Sequence, residues 1–160
     1  MTPELRDSIV KLMNEHRIMT VATNRSDGWP QATVVGYVND GLILYTFVSR
    51  TSQKYINIMH DKRVSITIAS DFSEPLKITG LSLAAYAGVI QDRQEFDRAC
   101  QLFLRRYPEY APWGVPDPAL APMLRMIPAV ISVLDYSKGF GHSELVKISS
   151  QDLGAARGGK

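Results

Sequence analysis

The chain has 160 residues, 45% of them hydrophobic and 21% charged, with a formal net charge of +2. That profile fits one globular domain with its own apolar core and argues against a two-domain enzyme, a nucleic-acid coat or a polybasic membrane surface. One cysteine, Cys100, excludes an intramolecular disulfide framework and a multi-cysteine metal or iron–sulfur site, and it suits a reducing compartment.

Thr2 followed by Pro3 is an N-cap with proline at the first helical position, and Leu5, Ile9, Leu12 and Met13 continue at helical spacing. From Ile18 the pattern turns to β-branched runs, IMTVATN, PQATVVGYV and LILYTFV, separated by Ser26-Asp27-Gly28 and Asn39-Asp40-Gly41. Asp-Gly between such runs signals hairpins, so three strands in an antiparallel meander are expected. In RTSQKYINIMHDKR, Thr51 or Ser52 can cap a helix whose apolar face holds Tyr55, Ile58 and Met59.

A strand RVSITIAS follows, then a longer one, LKITGLSLAAYAGVIQD, whose Gly80 and Gly88 mark bends or close backbone approach. Asp92 and Glu95 form a capping box for a helix with Phe96, Ala99, Cys100, Phe103 and Leu104 on one side, which makes Cys100 a packing residue. Five prolines between Pro108 and Pro122 predict an irregular excursion, with a short helix around Leu120 to Arg125. A last strand, AVISVLDYS, leads into Lys138-Gly139-Phe140-Gly141-His142.

This order predicts a mainly β fold, an antiparallel barrel with flanking helices, in a single domain over residues 1–150. Residues 151–160 are expected to form a flexible tail, too polar and glycine-rich to pack. No segment reaches the roughly 20 apolar residues needed to span a bilayer, and the N-terminus is too densely charged for a secretory signal. A cytoplasmic protein without membrane attachment is expected. A domain of this size has a radius of gyration of roughly 15 Å, so a large cofactor must lie in a groove or between two copies.

The segment LYTFVSRTSQKYIN delivers Ser49, Arg50, Thr51, Ser52 and Lys54 to a helix start, where free N–H groups and the positive dipole end favour an anion. From Ser49 to Arg63 the charge is +3, more than that of the whole chain. A phosphate pocket and a plain capped helix with solvated basic residues both account for this pattern. His142, after the flexible glycine pair, is a candidate for proton transfer, although a loop histidine without a chemical role is the favoured reading. Tyr110 and Trp113 are candidates for stacking on a ring, or for packing. His16 and His60 stand alone, and no paired histidine spacing suggests a metal.

The order of these elements resembles the pyridoxamine 5′-phosphate oxidase-like family of FMN-binding split β-barrels, an antiparallel Greek-key architecture. The resemblance rests on TVATNRSDGWPQATVV, on LYTFVSRTSQKYINIMHDKRVSITIA and on AYAGVIQD. It implies that Ser52, Gln53 and Lys54 hold the FMN phosphate with Arg50 nearby, that Thr33, Val34 and Val35 line the isoalloxazine edge, and that Tyr45 and Thr46 complete the ribityl and phosphate side. It also implies a homodimer sharing the flavin, with the second copy contributing Gly80, Leu81 and Ser82.

The basic pair flanking the family's flavin strand is missing here, where the run reads Thr33-Val34-Val35-Gly36-Tyr37-Val38. Arg106 stands near an expected substrate arginine. Oxidation of pyridoxamine phosphate is therefore not the expected task. The sequence-level expectation is an FMN-dependent oxidoreductase acting on an unidentified small molecule, with Tyr110, Trp113 and His142 on the substrate side. A carrier or sensor of flavin or haem, and a deazaflavin-dependent reductase, are the alternatives.

Overall fold

Period-two burial builds the barrel wall. In β1 (Ile18–Asn24) Met19, Val21 and Thr23 turn inward, and in β5 (Arg63–Ala69) Val64, Ile66 and Ile68 do the same. The computed structural model describes residues 1–72 and 74–154. Its remaining strands are β2 (Pro30–Gly36), β3 (Val38–Asp40), β4 (Ile43–Phe47), β6 (Thr79–Val89), β7 (Met123–Asp135) and β8 (Ser143–Lys147). Four helices flank them: α1 (Pro3–Glu15), α2 (Gln53–His60), α3 (Arg93–Arg106) and α4 (Ser150–Gly154).

All pairings are antiparallel, in the order β2-β1-β5-β6-β7-β4-β3, with β8 on β7. The first and last strands in that order are consecutive in the chain, separated by Tyr37 alone. The sheet therefore curls until its two edges meet in one broken strand, which is a split barrel. β7 keeps β6 along one edge, while its other edge carries β4 at the start and β8 at the end.

The expected meander is corrected by this break. Ile18–Asn24 and Pro30–Gly36 form one hairpin and Val38–Asp40 and Ile43–Phe47 another, but they lie on opposite edges of the sheet. The reason is local: Tyr37 is fully buried, and its hydroxyl donates to Met13 O at 2.7 Å, so the strand turns there toward the end of α1.

Tyr107, just beyond α3, locks the turn. The Tyr37 N–H donates to Arg17 O at 3.3 Å, and the Tyr107 hydroxyl joins that pair, accepting from the same N–H at 2.9 Å and donating to the Arg17 carbonyl. Gly36 leaves it room: a Cβ there would stand 3.1 Å from Tyr107 Oη, so the hydroxyl would have to shift.

Ile9, Met13, Leu44, Ile58, Ile66, Leu81, Leu83 and Met126 form the barrel core, each almost wholly buried. Each such side chain contributes about 2 kcal/mol by transfer from water. A second cluster, with Val38, Tyr45, Ala99, Cys100, Tyr107 and Met123, fixes α3 on β3 and β4. The helix starts are as expected: Thr2, Ser52 and Asp92 cap α1, α2 and α3 with their side chains.

Four expectations are corrected. No helix spans 120–125: Met123 already opens β7, and the helical turn of the excursion is a 3-10 segment, Pro108–Trp113. The sheet irregularity lies at Ala84/Ala85, not at Gly88, which has nothing near it, whereas at Gly80 a Cβ would stand 2.9 Å from Ile68 O. The segment after His142 forms an unanticipated strand, β8, paired with the end of β7. The expected tail begins as helix α4, because Ser149 and Asp152 cap one another and Leu153 packs against the core; residues 155–160 lie outside the described residues. No helix of the described residues is long and apolar enough to cross a membrane.

Two predictions follow from this packing. Gly36→Ala should cost about 1 to 3 kcal/mol in urea unfolding by displacing the Tyr107 hydroxyl from its partners, and the cost should shrink in a Tyr107→Phe background. Burial pushes the Cys100 thiol up to about 11 from 9.0, leaving about a hundredfold less thiolate at neutral pH. Alkylation by iodoacetamide should accordingly be far slower in the native than in the urea-unfolded protein.

Candidate functional site

The break at Tyr37 creates a seam between β2 and β4, bridged by Thr46 Oγ1, which donates to Gly36 O at 2.7 Å. Outside the seam lies a cleft of about 400 Å³ with Gly36 and Thr46 at its base. Its walls are Phe47, Phe103, Tyr107, Tyr110 and Trp113, and no charged residue among those described lines it. The rings form a continuous series. Phe47 meets Phe103 edge to face at 5.1 Å, Phe103 lies 5.8 Å from Tyr110, and Tyr110 lies 5.8 Å from Trp113.

Along β2, the seam leads to the start of α2. Gln31 accepts from Asn57 Nδ2 at 3.2 Å, and Asn57 also donates to Thr23 Oγ1 at 2.9 Å and accepts from Gln53 Nε2 at 2.8 Å. Thr33 stands between that polar cluster and Gly36. Its Oγ1 is the one buried side-chain N or O atom among the described residues that lacks a hydrogen-bond partner. A buried hydroxyl in that state costs free energy until something satisfies it.

The basic cluster of the sequence is divided among three surroundings. Arg63 is neutralised by Asp61 at 2.7 Å, and that guanidinium, with the Arg63 and Asn24 N–H donors, holds the Asp61 carboxyl well below the usual range. Lys54 is half-buried, three and four residues before the buried Asn57 and Ile58, on the face of α2 turned toward the sheet. Arg50 and Lys62 line a separate cleft of about 520 Å³ with Tyr55, Tyr86 and Arg125. Arg50 donates to Tyr55 Oη at 2.8 Å, and Arg125 pairs with Glu95 at 2.9 Å. Among the described residues neither Lys54 nor Lys62 has a carboxylate partner.

Ser52 caps α2 by accepting from the Tyr55 N–H while donating to Ser49 O. Of the other expected cofactor residues, Tyr45 turns away from the seam. It is buried beneath α3, and burial, then its hydrogen bond to Glu95 at 2.9 Å, pushes its phenol up. Leu81 is a core side chain, leaving only its backbone for a ligand.

Val34 and Ser82 share the outward face, along a register row running Val34, Thr20, Thr67, Ser82, Ser132 and Leu145. Val35, like Thr33, is half-buried and faces inward, packing against the barrel core.

The substrate-side expectation divides as well. Tyr110 and Trp113 do line the cleft with Thr46, but His142 follows the far end of β7, whose length of 13 residues is roughly 40 Å. His142 therefore does not border this cleft within one chain. Arg106 is not free for substrate either. It donates to Met13 O and His16 O, closing the C-terminus of α1, and to Asn14 and Asn39.

Sequence reasoning missed Phe47, Phe103 and Tyr107 as cleft residues. The signal for Phe103 was present, but its helical spacing with Ala99 and Cys100 fits core packing equally well. Gly36 carried no signal until Tyr107 stood beside it.

The sequence profile described as pyridoxamine 5′-phosphate oxidase matches residues 5–135. No curated protein sequence matches. Among solved structures, a haem-binding protein from Mycobacterium smegmatis superposes with a TM-score of 0.77 at 19% identity, over 98% of this chain and 62% of that one. The chain thus spans about three-fifths of that protein's length. HutZ, the haem storage protein of Vibrio cholerae, gives 0.65 at 16% identity, over 76% of this chain and 88% of that one. A Clostridium acetobutylicum protein related to general stress protein 26, of the pyridoxinephosphate oxidase family, gives 0.70 at 17% identity, over 92% and 97%. At these identities the likeness concerns the split-barrel fold.

Replacing Thr33 by valine removes the unpaired hydroxyl at nearly constant shape. The ligand-free protein should gain about 1 kcal/mol in thermal or urea unfolding, whereas Thr23→Val, which breaks a made hydrogen bond, should lose stability.

Proposed function

The chain belongs to the pyridoxamine 5′-phosphate oxidase family, and on that premise we propose that it binds FMN as a homodimer and works as a cytoplasmic oxidoreductase on a small molecule. The observation that carries this reading is the Thr33 hydroxyl, buried without a partner between the α2 start and the Gly36–Thr46 seam. The residues of the α2 start fit a flavin phosphate and its polyol chain. Lys54 lacks a carboxylate partner among the described residues, the N–H groups of Gln53 and Lys54 precede the first internal hydrogen bond of α2, and Arg50 adds a second cation on the flank.

FMN, when bound, supplies hydride or single-electron transfer. The chain's own residues then have positioning roles: Lys54 and Arg50 neutralise the phosphate, Ser52 and Gln53 orient it, Thr33 donates or accepts one hydrogen bond, and the aromatic wall excludes water. The buried lone thiol supports a reducing compartment.

The dimer is supported by the outward face of the sheet. Ile18 and Val34 are exposed apolar residues there, and the row through Thr20, Thr67, Ser82 and Ser132 carries no charge. Val34 and Ser82 are three strands apart, roughly 14 Å. Two such faces packed about a twofold axis would set Val34 of one copy against the region of Gly80, Leu81 and Ser82 of the other.

Haem is the second reading, favoured by the uncharged aromatic cleft and by the haem proteins among the structural neighbours. No histidine or cysteine lines that cleft, so the Tyr110 hydroxyl is a side-chain oxygen there that could hold haem iron. A deazaflavin would use the same phosphate contacts as FMN.

The absorption spectrum of the purified protein, alone and after titration with FMN or haemin, separates the readings. Flavin bands support FMN and a Soret band supports haem. Lys54→Ala should weaken FMN binding by about 1.5 to 3 kcal/mol in calorimetry; unchanged affinity refutes the phosphate assignment. Anaerobic bleaching of the bound flavin by a reduced nicotinamide distinguishes an oxidoreductase from a carrier.

A further inference from the structure

The aromatic cleft beside the seam has a composition that selects among ligands. Five of its lining residues are Phe47, Phe103, Tyr107, Tyr110 and Trp113, and none of the rest is charged. Arg17, which lies over the Tyr107 ring 4.6 Å from its centroid, is paired with Glu109. None of the lining residues offers a counter-charge to an anionic or a cationic ligand, and either would lose hydration on entry.

The rings line the cleft as one connected series: Phe47 and Phe103 meet at 85°, Phe103 and Tyr107 lie at 31° with centroids 4.6 Å apart, and Tyr110 and Trp113 meet at 63°. Trp113 is 77% exposed and Tyr110 is 47% exposed, although both are large apolar surfaces held by the Pro108–Trp113 turn. Exposed aromatic surface at the mouth of an apolar cleft marks a binding site. The volume of about 400 Å³ suits a compound of two or three fused rings.

We propose that this cleft takes an uncharged, planar aromatic compound, stacked on Trp113 and Tyr110, as the substrate of the flavin site. The inference rests on the FMN reading only for the word substrate; the binding itself stands on the ring geometry and the absence of charge. It also accounts for the excursion after α3, whose prolines hold the two exposed rings in place. Thr46, at the base of the cleft, ties it to the seam.

The test uses the full chain with its bound cofactor and three probes of one shape: 2-naphthol, 2-naphthalenesulfonate and a naphthyl trimethylammonium salt. Calorimetry should show one 2-naphthol site per chain, with the charged probes at least about tenfold weaker. Trp113→Ala, at an exposed position, should weaken 2-naphthol about tenfold without changing the melting temperature, while Trp29→Ala, at the exposed hairpin tip, should leave it unchanged.

Equal or tighter binding of a charged probe overturns the ligand class. Binding that is absent, or indifferent to Trp113, overturns the site. A protein that carries FMN but ignores 2-naphthol keeps the cofactor reading and loses this one. A protein that binds 2-naphthol at Trp113 but takes up no FMN does the reverse.

Discussion

One hydroxyl holds the two edges of the sheet in a common strand. Where Tyr37 interrupts the strand between Gly36 and Val38, its N–H still donates to Arg17 O at 3.3 Å, and Tyr107 Oη binds both groups, accepting from the one and donating to the other. Each such added hydrogen bond contributes about 1 kcal/mol. The same side chain carries the C-terminal end of α3 onto the barrel, packs against Phe103, and walls the aromatic cleft. Barrel closure, helix docking and the cleft are consequences of one contact, and the space it needs is the missing side chain of Gly36.

Around that contact the charges sort into those the fold consumes and those it leaves. Arg106 is spent on the carbonyls that end α1, Arg63 on Asp61, and Arg125 on Glu95, which also receives the Tyr45 hydroxyl. Among the described residues Lys54 and Lys62 are left without carboxylates, and Arg50 is held by a phenol and a carbonyl that do not cancel its charge. A capped helix alone accounts for Ser52. It does not account for an orphaned hydroxyl at Thr33, and this is where the cofactor reading gains on the plain one.

Local chemistry was legible. Caps at Thr2, Ser52 and Asp92, hairpins at the two Asp-Gly turns and the burial of Cys100 depend on interactions within a few residues, which spacing and residue type encode directly. The strand and capped helix around Ser52, on which the resemblance rests, were legible in the same way. The excursion after Pro108 was legible only as irregular, because prolines forbid regular structure without saying which turn replaces it. Its register, with a 3-10 segment ahead of β7, depends on Tyr110 and Trp113 finding Phe103 across the chain.

By itself, then, the sequence determined an antiparallel barrel with capped helices, a basic helix start and the family to which both belong. Tertiary structure alone decided that a strand breaks at Tyr37, that Tyr45 and Arg106 serve the fold instead of a ligand, and that His142 stands a strand's length from the aromatic cleft. The division has a physical cause. Caps, turns and alternation are satisfied by near neighbours in the chain, whereas a hydroxyl, a guanidinium or a ring takes its role from the one group that folding brings opposite it. For Tyr107 and Arg106 that group is 70 residues or more away.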